Sequence, residues 1–420
     1  MDDKVQLQQS KSIAIIGGGA AGFFAAITAA ERNPTCKVTI FEASKTTLGK
    51  VRISGGGRCN VTHSCFDPGK LVENYPRGSR ELISVFNRFQ PQDTCHWFET
   101  RGVKLKTETD RRIFPVSDDS QTIVDCLETA ARQAGVRLLT GVRVESLTKS
   151  ASQFEILDTK KQAFNFDAVV IATGSANAGY EFARKFGHTI IKPVPSIFTF
   201  TINDRLIENL AGISVPKAEL ELIVDNLDKP AKPHRFAATG PTLITHWGLS
   251  GPAVLRLSAW AARELAEANY QARLGINFLP SESVEQAKVK LQQLRKTNPK
   301  LQVSHVRIFP FPARLWESML HVARVDSRTE CFSLSNTEIN NLVQVIFATN
   351  LCIGGKGVFK EEFVTAGGVK LSEVKMQTME SKICSGLYFV GEVLDIDGIT
   401  GGFNFQNAWS TGYLAGMALG

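Results

Sequence analysis

The tightest constraint on how this chain can fold lies near its start. Ser12–Ile16 (SIAII) runs directly into Gly17-Gly18-Gly19-Ala20-Ala21-Gly22, a G-x-G-x-x-G. An apolar pentapeptide suits a strand buried on both faces. The spacing predicts a helix from Ala20 to Arg32, closed by Asn33-Pro34, and a second strand over Lys37–Phe41 that ends on Glu42. Each position has a mechanical reason. Gly17 permits the tight strand-to-helix turn and Gly19 lets a pyrophosphate approach the backbone. Ala20 and Ala21 open the helix, whose free N–H groups carry partial positive charge, and Gly22 lets helix and strand pack closely. Glu42 is placed to accept from ribose hydroxyls.

Residues 13–30 are uncharged, and a signal peptide or membrane span is the competing reading. Three consecutive glycines sit at their centre, each costing a helix about 1 kcal/mol against alanine. Glu31 and Arg32 follow with no cleavage pattern. A nucleotide-binding turn accounts for the glycines, and the membrane reading is set aside.

The fingerprint alone does not separate FAD from NAD, since both carry an ADP half. Three later features do. Phe166–Gly174 (FDAVVIATG) is a strand running into Ala172-Thr173-Gly174. Gly386–Glu392 (GLYFVGE) is another buried strand, ending in Gly391-Glu392. Residues 395–416 (DIDGITGGFNFQNAWSTGYLAG) then form a glycine-rich turn and a helix beginning near Gly401, Gly402, Phe403 and Asn404. This is a second anion site at the far end of the chain. Two such sites fit a long ligand lying across the carboxyl edge of one sheet, as FAD does. The second helix start would face the flavin pyrimidine edge, and Glu392 would accept from ribityl hydroxyls. The nearest candidate for an NAD(P) fingerprint, Gly354-Gly355-Lys356-Gly357, follows a helical-looking stretch (337–347). No dedicated NAD(P) domain is therefore expected, and an NAD(P)H donor would dock transiently.

Between the two ends lies SGGGRCN, residues 54–60. Its glycines can take positive φ and let the backbone approach a ligand. On this reading Gly56 and Gly57 cradle the cofactor beside Cys59, Arg58 reaches a pyrophosphate, and Lys50, Ser54 and Asn60 are further polar contacts. Two alternatives stay open: a redox dithiol formed by Cys59 and Cys65, and a structural turn with Cys59 simply buried. Spaced six apart, the two cysteines would lie on different faces of a helix, so a disulfide would need a tight intervening loop.

The 420 residues are 43% hydrophobic and 21% charged, which allows more than one globular core. A net charge of +7 comes from scattered Lys and Arg, with no basic run interleaved with aromatics, so nucleic-acid binding is not expected. Eight cysteines without a CxxC pair read as reduced thiols of a cytoplasmic protein.

SGGGRCN after the fingerprint, IFP at 113–115, THWGLSGP at 245–252 and GEVLDIDGITGGFN at 391–404 together resemble the BaiN/YhiN-type family of FAD-dependent oxidoreductases. The resemblance covers residues 12–62, about 107–120, 167–200, 240–257 and 364–416, roughly half the chain. It implies an α/β fold: a Rossmann-like FAD-binding domain built from both chain ends, with an inserted β-barrel-like and small helical domain. It also implies that backbone groups near Val144 meet the adenine. One departure stands out: the chain reads ATGSANAGYEF where many members continue in a longer glycine-rich loop.

The texture of the middle agrees with an insertion. From about Pro195, short β-like runs such as residues 196–202 and 218–224 alternate with Pro and Asp/Asn turns, as in a barrel. The expected division is 1–195 and 356–420 for the FAD domain and 196–355 for a substrate or cap domain. His246, in THWGLSGP, and His63 are candidate acids or bases, though a histidine in either setting is more often a packed one with a satisfied hydrogen bond. Phe114-Pro115 either lines the flavin or packs in a core. No metal-ligand spacing and no Ser-His-Asp order emerges. The expectation is a flavoenzyme passing hydride or electrons between NAD(P)H or a small organic substrate and an acceptor, as an enoyl-type reductase or an amine-oxidase-like enzyme. The alternatives are a binding or RNA-associated protein with structural FAD, and a dithiol reductase.

Overall fold

The computed structural model describes residues 10–225, 232–357 and 364–420. The chain divides into two compact units, one from Met1–Val194 with Val364–Gly420, the other from Pro195–Phe363.

The first unit is organised by a seven-stranded sheet. Ser12–Ile16 pairs in parallel with Lys37–Glu42 on one side and Ala168–Ile171 on the other. The C-terminal strand Leu387–Phe389 lies next to Ala168–Ile171, and Arg137–Thr140 next to Lys37–Glu42. The central strands are apolar and buried on both faces, as expected where helices cover a parallel sheet. Their order places the first and last strands of the chain two positions apart, so that both ends deliver their strand tips to one carboxyl edge.

Two helices from opposite ends of the chain lie in backbone contact. In the helix Phe403–Leu419, a Cβ at Gly412 would stand 2.5 Å from the Ala21 carbonyl oxygen, and one at Gly416 would stand 2.5 Å from Thr28 Cβ. Small residues four apart give one flat stripe on that helix, and the helix Ala20–Arg32 occupies it. The aromatic side chains of Phe24, Trp97 and Trp409 fill the margin of the contact, with ring centroids 4.5–4.7 Å apart. Buried aromatics of this size each contribute about 3 kcal/mol or more, judged by the cost of truncating them.

A three-stranded meander, Val144–Ser150, Gln153–Asp158 and Ala163–Phe166, follows the edge strand. A small antiparallel sheet joins Thr62–His63 to Arg112–Pro115 and Leu105–Thr107.

The second unit is a closed six-stranded barrel with helices beside it. Around the barrel run Phe200–Ile202, Gly248–Ser250, His234–Thr245, Ser214–Val224, Ala272–Asn277 and Thr349–Lys356. Ser214–Val224 alternates buried and exposed side chains, as a barrel wall requires. The helices Val284–Thr297 and Asn336–Phe347 each open on a capping box, Ser283 with Gln286 and Ser335 with Glu338. Gly354 and Gly355 fall inside the barrel strand that follows the second of these helices, not in a loop after it. One residue, Ala348, separates the helix from that strand, so the apolar helical pattern runs almost directly into it.

Candidate cofactor site

The fingerprint turn forms as its spacing demands. Gly17 has φ +116°, and a Cβ there would stand 2.3 Å from the Ala172 carbonyl oxygen. A Cβ on Gly22 would meet the Gly17 carbonyl oxygen at 2.0 Å. Around Gly19 the opposite holds, with nothing within 4 Å of the Cβ position. Gly19 precedes the helix without a side-chain cap, and the first turn carries no acid. Ala20, Ala21 and Gly22 therefore present N–H groups with no capping partner, the arrangement that attracts phosphate.

Glu42 closes this turn from the second strand. Its carboxylate accepts from Gly18 N–H at 2.8 Å and from Ser44 N–H at 2.7 Å. The meander begins beside it: Val142 N–H donates to the Glu42 carbonyl at 2.9 Å, and Val144 starts the next strand against Asp158, where the pairing register slips.

SGGGRCN is a left-handed run. Gly55, Gly56 and Gly57 have φ of 59°, 70° and 85°, and Cys59 follows at 60°. Gly55 sits on the buried Phe114 ring, whereas a Cβ on Gly56 or Gly57 would meet nothing within 4 Å. Phe114 thus packs beneath the loop, while Pro115 is buried at the end of its strand opposite Leu105. Ser54 Oγ donates back to the Val51 carbonyl at 3.0 Å.

The guanidinium of Arg58, expected at a pyrophosphate, is held elsewhere. It lies 4.1 Å over the Phe114 ring and donates to Glu108 at 2.7 Å and to Asp118 at 3.5 Å. Two carboxylates and a ring face outcompete open solvent for a planar cation. Cys59 is fully buried, and burial pushes its thiol up to about 12. Cys59 and Cys65 are both free thiols.

Several of the sequence candidates come together across the sheet edge. The Lys50 ammonium meets the Glu392 carboxylate, whose other oxygen accepts from Thr365 N–H at 3.1 Å. Gly174, at φ +59°, faces that same carboxylate, 3.5 Å from its Cβ position. Asn60 donates to the Thr62 carbonyl at 3.0 Å and accepts from Gly402 N–H at 2.9 Å, joining SGGGRCN to the C-terminal glycines. Gly391 N–H donates to Thr411 Oγ1 at 2.9 Å. Gly401 and Gly402 have φ of 129° and 91°, and the helix starting at Phe403 has no side-chain cap and no acid in its first turn.

Asn404, read from sequence as a cofactor contact, clamps the turn before it. Its amide accepts from Gly398 N–H at 2.9 Å and donates to the Gly398 carbonyl at 2.8 Å, which spends both ends of the side chain. Phe403 is buried, its carbonyl accepting from Tyr75 OH at 2.7 Å and its ring stacked on His63 at 4.8 Å. Burial and the neighbouring Arg111 hold the His63 imidazole below its usual value.

Sequence reasoning missed Arg77, Asp397 and Tyr180 at this edge, and named Thr173 without its orphaned hydroxyl. Arg77 and Asp397 form a bidentate ion pair whose side chains are 10% and 0% exposed. Thr173 Oγ1 and Tyr180 OH are buried without a hydrogen-bond partner. Burial, with the nearby charges of Glu392 and Asp395, pushes the Tyr180 phenol up. An unpaired buried hydroxyl is costly and marks a place where a polar ligand or water belongs. Open glycine positions, two uncapped helix starts and these orphaned hydroxyls fit an extended anionic cofactor with polyol hydroxyls. A run of small residues between apolar strands was their one trace in the sequence.

His246 belongs to the barrel unit. With Trp247, which is 55% exposed, it forms the tip between His234–Thr245 and Gly248–Ser250. Among the described residues no cluster of His, Cys, Asp or Glu could hold a metal, and no helix is long and apolar enough to cross a membrane.

The family model described as the HI0933-like protein Rossmann domain matches residues 11–418. The chain is 31% identical over 414 residues to the 3-dehydro-bile acid delta(4,6)-reductase of Clostridium scindens, covering 97% of this chain and 98% of that protein. It is 28% identical over 426 residues to the ribosomal RNA dihydrouridine synthase of Haemophilus influenzae, covering 98% and 99%. To the protein of that name from Escherichia coli it is 29% identical over 421 residues, covering 96% and 97%.

Proposed function

Because this chain belongs to the HI0933-like Rossmann-domain family, the BaiN/YhiN-type FAD-dependent oxidoreductases, we propose that it is a reductase that uses FAD to saturate a carbon–carbon double bond conjugated to a carbonyl. One observation carries the choice of reaction. The relatives matched end to end are named for two different substrates, a 3-dehydro-bile acid and a uridine of ribosomal RNA, yet both names describe adding hydrogen to an unsaturated ring. In each ring a carbonyl can draw electron density from the double bond. The enoyl-type reading is therefore preferred over an amine oxidase.

When bound, FAD supplies the two-electron chemistry. The chain's own groups would hold it in the unit made from both chain ends. The N–H groups that follow Gly19 and the open space at Gly19 itself would take the pyrophosphate, and Glu42 with the backbone at Val144 would take the adenosine. Glu392, oriented by Lys50, and the Ala172–Gly174 turn face the ribityl hydroxyls. Gly56, Gly57 and Asn60 on one side, and Gly401, Gly402 and Phe403 on the other, border the flavin ring. The uncapped helix start there favours the negative charge of the reduced state. NAD(P)H is proposed as a transient donor.

The test is the anaerobic absorption spectrum of the purified protein before and after NADH or NADPH, followed by an oxo-dienone steroid as acceptor. Flavin bands that bleach with the nucleotide and return with the enone support the reading. A protein that stays colourless after incubation with FAD sinks it.

A second reading is favoured by the two full-length relatives named as ribosomal RNA dihydrouridine synthases. On it, the reduced double bond belongs to a uridine in RNA. Mass spectrometry of ribosomal RNA from a strain lacking this chain would show one dihydrouridine fewer.

A further inference from the structure

Gln406 lies in the first turns of the C-terminal helix at 0% exposure, and both ends of its amide are hydrogen-bonded. Its Oε1 accepts from the Thr62 hydroxyl at 2.6 Å and from the Thr94 hydroxyl at 3.0 Å. Its Nε2 donates to Ser410 Oγ at 2.9 Å, and the Ser410 hydroxyl donates onward to the Phe89 carbonyl at 2.8 Å. Thr62, Thr94 and Ser410 are each 0% exposed as well. A buried polar chain is tolerated only when every member is paired, and a paired one fixes geometry more rigidly than apolar packing does.

What this chain fixes is the junction between SGGGRCN and the helix start. Thr62 lies so close to Gly402 that a Cβ there would stand 2.7 Å from the Thr62 carbonyl. Asn60 bridges the same two residues, and Trp409 Nε1 donates to the Val61 carbonyl at 2.9 Å. The Thr94 hydroxyl reaches the same amide oxygen from the helix Pro91–Glu99 and contacts neither residues 54–60 nor the helix start in doing so.

We propose that Gln406 is a positioning residue for the redox cofactor: through Thr62 it fixes the helix start against residues 54–60 and so sets how strongly that helix end stabilises negative charge on the flavin ring. This rests on the reading that FAD binds at this edge. The charge effect of a helix end fades within one turn, so a small displacement of Gly402 and Phe403 changes it. Gln406 itself touches no cofactor. Its influence passes through the Thr62 hydroxyl and the Gly402 backbone.

The experiment compares wild type with Gln406→Leu, Thr62→Val and Thr94→Val. It reads the midpoint potential of the bound flavin, the flavin dissociation constant and the melting temperature of the apoprotein. Gln406→Leu and Thr62→Val are expected to lower the potential and raise the dissociation constant roughly fivefold. Thr94→Val removes a hydroxyl from the same amide oxygen, so it should lower the melting temperature much as Thr62→Val does while leaving the potential in place. If Gln406→Leu fails to fold, the two valine variants carry the comparison. Equal shifts in potential from both valine variants, or stability losses with no shift in either, would overturn the positioning role. A wild-type protein that neither carries nor takes up flavin overturns the FAD reading first, and this proposal with it.

Discussion

Gly17 and the Ala172 carbonyl stand so close that a Cβ on the glycine would lie 2.3 Å from the oxygen, on a backbone at φ +116° that only glycine adopts freely. Two positions later the geometry reverses, and Gly19 has nothing within 4 Å of its Cβ position. The same motif therefore holds one glycine needed by the fold and one that the fold does not need.

The two alanine variants should separate these roles. Gly17→Ala is expected to cost about 3 kcal/mol or more, from the strained dihedral and the collision together. Gly19→Ala should leave apoprotein stability within about 1 kcal/mol, since its φ of −94° suits any residue. It should nevertheless raise the flavin dissociation constant at least about tenfold, because the new methyl stands where the pyrophosphate would approach. Chemical denaturation and flavin titration of both variants check this. A Gly19→Ala protein that binds flavin like wild type would remove the phosphate from that turn.

The strand, glycine and helix order was legible because it is local: spacing along the chain dictates which backbone turns tightly. The barrel wall was legible for the same reason, through the alternation in Ser214–Val224. Side-chain destinations were not. Asn404 reads as a ligand contact from its place at the second helix start, and nothing in the sequence shows that Gly398 takes both ends of its amide. Arg58 read as a phosphate contact until Glu108 and Asp118, distant in sequence, claimed it. Thr62 and Gln406 carry no local sign that they meet. Long-range packing decides such pairings, and a single sequence does not print it.

The Lys50–Glu392 pair should matter to the cofactor more than to the fold. Lys50 is 53% exposed, and a solvent-facing ion pair contributes about 0–1 kcal/mol. Lys50→Met is accordingly expected to shift apoprotein stability by less than about 1 kcal/mol. Flavin release should quicken severalfold, since Glu392 loses the cation that holds it at the edge. Stopped-flow release on dilution measures the rate. A large stability loss with unchanged release would make the pair a scaffold element.

Cys59 should be inert toward alkylation in the folded protein. Burial pushes its thiol up to about 12, so almost none is thiolate at pH 8. The exposed Cys352 should label within minutes under the same conditions. Peptide mapping after brief iodoacetamide treatment distinguishes them. The serine variant Cys65→Ser should keep full turnover, and its loss would revive the dithiol alternative.

A pH dependence of stability should trace to His188. Its ring is buried, with Nε2 2.7 Å from Ser381 Oγ and Nδ1 3.2 Å from Glu373. Burial lowers its pKa below the ordinary 6.5, although the carboxylate partner pulls the other way. A histidine kept neutral by the fold but free to protonate when unfolded contributes stability that is fully present above 6.5. That stability is lost as the pH falls through 6.5 toward the depressed folded value. Glu373 is a second, lower step. Burial raises it, but the Thr189 backbone and His188 outweigh that, leaving it below the usual 4.5, so its contribution is lost in more acid solution. Melting temperatures at pH 7.5 and 5.5 should therefore fall for wild type and fall less for His188→Gln, with His63 supplying a residual slope of the same sign. An unchanged slope in His188→Gln would mean that the titrating group lies elsewhere.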